Sequence, residues 1–239
     1  MKANQSAILT YHSIDQSGSV ISTAPDVFED QMAWLAGSGL AVVPLEQAAE
    51  NPGGVALTFD DGYQNFLDSA LPVLERYRLP STVFVATALL GMTNGWDGQH
   101  RSIPKLAIMG EDGVREATAR GVGIGAHSVG HADLTTLLEP DIEHELTASQ
   151  GRLEDLTGKP VRTFAYPFGR TNEASIRLAG KSFDLACGTG LGYVEPASDR
   201  LELPRLDVYY LQSRFWFRRI GVGSGRRYLG LRAALRSMQ

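Results

Sequence analysis

Cysteine is almost absent from this 239-residue chain, which holds only Cys187. An internal disulfide framework is therefore excluded, and a reducing compartment is the natural setting. Within Phe183-Asp184-Leu185-Ala186-Cys187 the thiol reads as a small buried hydrophobe on a strand, not as a nucleophile. No apolar run approaches the length needed to span a bilayer. Met1 to Ser6 carry no apolar h-region behind a basic start, so a cytoplasmic setting is expected. Internal repeats and low-complexity stretches are missing too. Gly188-x-Gly190-x-Gly192 lacks the strand-to-helix context of a dinucleotide site. Gly221-x-Gly223-x-Gly225 lacks a phosphate-binding lysine, and both read as flexible turns.

Acid is missing from one end. Val208 to Gln239 hold seven arginines and no Asp or Glu, a charge of +7. The preceding residues hold 15 basic and 27 acidic side chains, a net of -12, so the whole chain stands at -5. The same stretch carries Tyr209, Tyr210, Phe215, Trp216, Phe217 and Tyr228. Basic residues interleaved with aromatics suit an anionic membrane surface or a nucleic acid. Alternatively, a C-terminal helix packs its apolar side on the body while its arginines meet the acidic surface. No nucleic-acid partner is expected; a peripheral contact with the inner membrane face is.

What is present points to one soluble-type domain. Hydrophobic residues make up 43% and charged residues 21%, and the length fits a single α/β barrel. Strand and helix patterns alternate. Strands are expected at Ala7–Tyr11, Ala41–Val43, Val55–Phe59, Ser81–Ala86, Val122–Ala126, Val161–Tyr166, Phe183–Cys187 and Leu203–Val208. Helices are expected at Pro25–Ala36, with Ser22 or Thr23 as cap, at Tyr63–Tyr77 with a kink at Pro72, around Ile142–Leu156 ending at Gly158, and at Asn172–Ala179. Gly91–His100 reads as a long polar loop of the kind that covers sites at barrel rims. Repeated strand-helix units imply a parallel sheet. Chemistry-bearing residues near several strand ends favour a distorted (β/α)7-8 TIM-like barrel over an open sheet. The barrel is assigned to residues 1–208 and a basic, aromatic extension to 209–239.

The chemistry starts at Leu57-Thr58-Phe59-Asp60-Asp61-Gly62, where a buried-type strand ends in two carboxylates. Burying even one without a partner is costly, so the strand ends at a wet rim or beside a cation. His127 and His131, in His127-Ser128-Val129-Gly130-His131, offer the cation further ligands. One Asp and two His leave an open position on a divalent metal, the mark of a catalytic site. His144, in the acidic segment Asp141-Ile142-Glu143-His144-Glu145, reads as a solvated face. His100 reads as a substrate contact or as nothing.

Three segments in order, Thr58–Gly62, His127–His131 and Phe164-Ala165-Tyr166-Pro167-Phe168-Gly169, resemble the first three motifs of the polysaccharide deacetylase family (NodB homology, carbohydrate esterase family 4). The resemblance covers Ala7 to Val208. It implies a distorted barrel, a bound divalent metal, usually zinc, and hydrolysis of an N-acetyl group from a sugar. By resemblance, Asp61, His127 and His131 are the metal ligands, Asp60 is the catalytic base, and the Phe168 backbone N–H helps hold the oxyanion. Tyr166, and Trp96 in the long loop, are the expected substrate contacts, with Asp97 beside Trp96.

Departures from the family pattern shape the remaining expectations. The arginine that usually follows the phenylalanine of the third motif is Ala165 here. Arg205, in Leu203-Pro204-Arg205-Leu206-Asp207, is expected to supply the missing guanidinium to Asp60, with Arg162 a weaker candidate. The fourth motif, Asp-x-x-Asp-Trp, is not recognisable, and the fifth lacks its histidine. His12, in Tyr11-His12, resembles the start of the poly-N-acetylglucosamine deacetylase branch. It is either the general acid or a satisfied rim histidine. The expected substrate is an N-acetylated sugar in a glycan or glycoconjugate, with a lipid- or nucleotide-linked biosynthetic sugar favoured. The rivals are a deformylase on the same scaffold and a non-catalytic glycan-binding module.

Overall fold

The computed structural model describes residues 5–50 and 53–236. The first four residues of the expected barrel segment and the last three of the extension lie outside them. In chain order the elements are β1 (Ala7–Tyr11), β2 (Ser13–Ile14), β3 (Ser22–Thr23), α1 (Pro25–Gly37), β4 (Ala41–Val42), α2 (Leu45–Glu50), β5 (Gly54–Phe59), α3 (Leu71–Tyr77), β6 (Thr82–Val85), α4 (Glu111–Ala119), β7 (Gly123–Ala126), α5 (Glu139–Thr157), β8 (Thr163–Ala165), α6 (Glu173–Ser182), β9 (Leu185–Leu191), β10 (Leu203–Asp207), α7 (Arg214–Phe217) and α8 (Gly223–Arg236).

Seven parallel strands close a ring in the order β1-β10-β9-β8-β7-β6-β5, and β5 returns to β1. Closure rests on β1, which pairs Leu9 with Leu206 of β10 on one side and Leu57 of β5 on the other. The expected strand at Ala41–Val43 forms, but β4 pairs only with the start of β5 and stays outside the ring. A (β/α)7 barrel results, the lower of the two strand counts expected. Every residue of β1 and β5 is buried. That follows from their position: helices cover the outer face of a parallel barrel and side chains fill the inside. Tyr11, Phe28, Phe59 and Phe66 stack and cross edge-on at 4.9–5.9 Å between centroids. These contacts join β1 and β5 to α1 and to the turn that precedes α3.

Three local expectations need correction. Ser22 and Thr23 do not cap α1; they form β3, and α1 begins at Pro25 after an extended Ala24 with no side-chain cap. Proline at the first helical position lacks an N–H that would go unpaired anyway, so the start needs no cap from Ser22 or Thr23. The expected helix over Tyr63–Tyr77 opens with a widened π turn at Phe66–Ala70 before α3. Pro72 cannot donate the bond that a continuous α-helix requires there, so the irregularity falls just before it. Finally, α2 and α4 were not expected. They bury only two and three residues apiece, too few for apolar periodicity to declare them.

The extension is helical and docked. Phe217 and Leu229 are buried, and Trp216 stacks flat on Tyr228 at 4.0 Å and 7°. The Tyr228 hydroxyl donates to the Tyr210 carbonyl at 2.9 Å. The packing reading is therefore right about the apolar side and wrong about the charges. Among the described residues only Arg214 pairs with a carboxylate, that of Asp30.

Gly125 in β7 shows how closely the barrel is filled. A Cβ there would lie 2.4 Å from the Phe84 ring and 2.7 Å from the Thr163 hydroxyl. Phe84 is fully buried and has no room to withdraw. Gly125→Ala is expected to cost about 1–3 kcal/mol by overpacking, measured as a lowered urea midpoint at unchanged slope.

Candidate active site

The expected site residues converge on the C-terminal rim of the barrel, around a pocket of about 390 Å³. His12 follows β1, Asp60 and Asp61 follow β5, His127 follows β7, and Tyr166 and Phe168 follow β8. Trp96 enters from the long loop between β6 and α4. All of these line the one pocket, together with Tyr63.

Asp61, His127 and His131 offer ligand atoms within 4.8 Å of one another. Asp61 Oδ1 lies 3.2 Å from Nε2 of His127 and 3.3 Å from Nε2 of His131, and all three side chains are buried. The tautomer of His127 is fixed by its other nitrogen. Nδ1 lies 2.7 Å from the Ala165 carbonyl, which can only accept, so Nδ1 carries the hydrogen and Nε2 is bare. Burial works against charging both rings. At His131 burial prevails and lowers the pKa; at His127 the neighbouring Asp61 outweighs it and raises the pKa. A buried carboxylate facing the Nε2 atoms of two imidazoles matches the donor set of a divalent metal of borderline softness, with positions left open.

Asp60 has a different partner. Arg205 donates from Nη1 to Oδ1 at 2.7 Å and from Nη2 to Oδ2 at 2.6 Å. Its Nε donates to the Gly188 carbonyl at 2.9 Å, which aims the fork. Burial alone would push the Asp60 carboxyl up, but the adjacent guanidinium holds it below the ordinary carboxylate range. Asp60 therefore stays ionised and is not shared with the triad. Arg205 thus reaches Asp60 with its guanidinium. Arg162 is exposed, and its backbone carbonyl accepts from Asp184 at the opposite end of the strand from the rim.

His12 sits with Nε2 3.9 Å from Asp60 Oδ2 and its side chain 26% exposed. That is beyond a hydrogen bond and within reach of one after a small movement. Tyr166 lines the pocket, but its hydroxyl is committed to the Leu201 carbonyl at 2.8 Å. Any substrate contact it makes uses ring or backbone. Trp96 is buried, stacked on His131 at 4.0 Å, with its indole N–H unpartnered among the described residues. Asp97 is exposed outside the pocket, and the His100 ring is engaged by Ser102. Burial pushes the Cys187 thiol up to about 12, in keeping with a structural role.

Backbone strain concentrates here. Five non-glycine residues among those described have positive φ, and four are Asp61 (72°), Ser128 (64°), His131 (56°) and Phe168 (56°). Such conformations cost free energy and persist only where the surroundings impose them. Glu145 of α5 supplies part of that imposition: its Oε2 accepts from the backbone N–H of Val129 at 2.8 Å and of Gly130 at 3.0 Å. Glu145 is thus a positioning residue inside a segment that reads as a solvated acidic face. Its partners lie 15 and 16 residues earlier, in a loop whose path no local pattern gives. His144 is exposed as expected.

The polysaccharide deacetylase family model matches residues 47–185. Bacillus subtilis YxkH is 28% identical over 183 residues, 73% of this chain and 61% of that protein. The aligned stretch thus spans about three-fifths of that relative. The poly-beta-1,6-N-acetyl-D-glucosamine N-deacetylase of Staphylococcus epidermidis is 25% identical over 203 residues, 78% of this chain and 68% of the relative. The solved structure of IcaB from Ammonifex degensii superposes with a TM-score of 0.77 at 21% identity, covering 93% of this chain and 97% of that one, a likeness of fold.

The Arg205–Asp60 pair is buried on both sides, so its halves depend on each other. Arg205→Met should cost roughly 3–5 kcal/mol by stranding a carboxylate. In the double variant Arg205→Met/Asp60→Asn much of that loss should return. Chemical denaturation of the four proteins gives the coupling, and strict additivity would contradict the dependence.

Proposed function

The chain belongs to the polysaccharide deacetylase family, and we propose that it hydrolyses the N-acetyl group of an N-acetylated sugar in a glycan or glycoconjugate. One observation carries the reading. An ionised carboxylate, held at both oxygens by Arg205, stands beside a buried Asp-His-His group without belonging to it. In a non-catalytic binding module that second carboxylate has no duty.

Asp61, His127 and His131 would hold the metal, zinc by their chemistry. Bound there, zinc supplies Lewis-acid activation of water and of the amide carbonyl at neutral pH. Asp60 takes a proton from the attacking water, and Arg205 fixes the direction of its lone pairs. The Phe168 backbone N–H steadies the oxygen of the tetrahedral intermediate. His12, close to Asp60, passes a proton to the departing amine, so that water and amide become acetate and a free amino sugar. Trp96 presents an unpaired indole N–H, and Tyr166 an aromatic wall, to the sugar.

The similarity to a relative named as a poly-beta-1,6-N-acetyl-D-glucosamine N-deacetylase favours an N-acetylglucosamine unit as substrate. With zinc, the protein should release acetate from such sugars, and formate release confined to N-formyl sugars would replace this reading with a deformylase. Asp60→Asn should lower turnover about 100-fold or more. His12→Ala should do likewise at unchanged zinc content, whereas His127→Ala should lose the zinc. Undiminished turnover in His12→Ala removes it from the proton path.

The setting proposed is cytoplasmic and peripheral to the inner membrane face. Among the described residues, five of the eight exposed large hydrophobics lie in the extension: Tyr209, Phe215, Val222, Leu231 and Leu235. Apolar side chains among uncompensated arginines suit an anionic lipid surface. The protein should float with phosphatidylglycerol-rich vesicles at low salt and not with phosphatidylcholine alone. Leu231→Ser/Leu235→Ser should weaken flotation. Failure to float at low salt refutes the contact.

A further inference from the structure

The barrel does not build the catalytic pocket alone. Tyr209, Tyr210 and Arg236, all from the extension, complete one wall. That wall is fixed by the docking of α8 through Leu229 and the Trp216–Tyr228 stack. Nη1 of Arg236 donates to the Thr189 carbonyl of β9 at 3.1 Å, which seats the guanidinium against the pocket. No carboxylate lies within 4.0 Å of it among the described residues. One carbonyl occupies one of five guanidinium N–H groups, so most of its donors remain to be used.

The charges around it are spoken for. Asp60 is matched by Arg205, and Asp61 faces two imidazoles. Asp207, the other carboxylate in the wall, accepts the Tyr209 N–H at 2.9 Å as a turn cap. Six of the seven arginines of the extension have no carboxylate partner among the described residues. Arg236 is the one lysine or arginine among the described residues that line the pocket, and a cation at the mouth of a cleft attracts an anion approaching it.

We propose that Arg236 is a specificity-determining residue that binds a phosphate ester on the sugar whose N-acyl group lies at Asp60. The inference rests on the deacetylase reading for the position of the acyl group. The substrate class is then an N-acetylated sugar phosphate or diphosphate. In a 2-acetamido sugar an anomeric phosphate sits on the carbon next to the one bearing the amide, so a single pocket of about 390 Å³ can hold both. The planar fork of arginine matches phosphate oxygens in pairs.

The test measures binding and acetate release separately on the zinc-loaded full chain, on Arg236→Gln, and on Arg177→Gln as a remote charge control. The probes are N-acetylglucosamine, its 1-phosphate, its uridine diphosphate conjugate and a short prenyl-diphosphate conjugate. The phosphorylated sugars should bind roughly 10- to 100-fold tighter than the neutral one. Arg236→Gln should erase that advantage, raising KM for phosphorylated substrates with kcat and the neutral sugar unchanged. Arg177→Gln should change nothing. Tighter binding of the nucleotide or of the prenyl conjugate identifies the source of the phosphate. Equal affinity for neutral and phosphorylated sugars, no binding of either, or equal weakening of both by Arg236→Gln overturns the proposal. Acetate release without phosphate preference leaves the deacetylase reading standing and removes this one. Phosphate-selective binding that Arg236→Gln erases, without acetate release, keeps the phosphate contact and removes the deacetylase reading together with the acyl position drawn from it.

Discussion

The buried pair of Arg205 and Asp60 is the interaction on which the rim depends. Removing both charges from water is costly, and only close geometry offsets it. The geometry is close: two parallel N–H···O contacts of 2.7 and 2.6 Å, a third donor on the Gly188 carbonyl, and the guanidinium 5.8 Å from the centre of the Phe84 ring. Asp60 follows β5 and Arg205 lies in β10, with β1 between them in the ring. The two meet only once β1 has paired on both edges. Ring closure therefore brings up the guanidinium that keeps the base ionised once it is buried, and the polarity of the site is a consequence of the topology.

That dependence explains what could be read from the chain. The strands were legible because apolar β-favouring runs declare themselves over five or six residues, and Asp60-Asp61 and His127–His131 because their members are sequence neighbours. Arg205 was legible only through the resemblance, whose third motif carries an arginine where this chain has Ala165. Glu145 was not legible. Its charge sits among exposed acids, and only the return of the loop at Val129 and Gly130 gives it a purpose. The burial of Trp96 was not legible for the same reason. Its loop is polar and rich in glycine, yet Asn94 anchors that loop through the Pro104 carbonyl, the Leu106 N–H and the Tyr63 hydroxyl and brings the indole down onto His131.

The strained residues belong to the same logic. Asp61, Ser128, His131 and Phe168 adopt left-handed backbone where no glycine relieves them. His131 is the clearest instance. Trp96 covers one face of its ring, the Phe168 edge abuts it at 4.6 Å, and Glu145 ties down the loop before it. None of these contacts touches the nitrogen that faces Asp61. They fix where the imidazole points and leave Nε2 facing Asp61. Free energy spent on backbone strain thus appears as preorganisation of a donor set.

The extension shows how charge can be kept available within one chain. A body of net -12 and a segment of +7 would neutralise each other if electrostatics governed their docking. They meet instead through Phe217, Leu229 and the Trp216–Tyr228 stack. Apolar area holds the segment in place at little cost in guanidinium pairing. Arg219 lies over the Phe215 ring at 3.4 Å and Arg232 over Tyr210 and Tyr228, so these two guanidiniums rest on aromatic faces rather than on carboxylates. A ring face orients a cation without cancelling its charge. The Arg236 guanidinium, which meets the pocket, is likewise held by a neutral group, the Thr189 carbonyl, and keeps its charge.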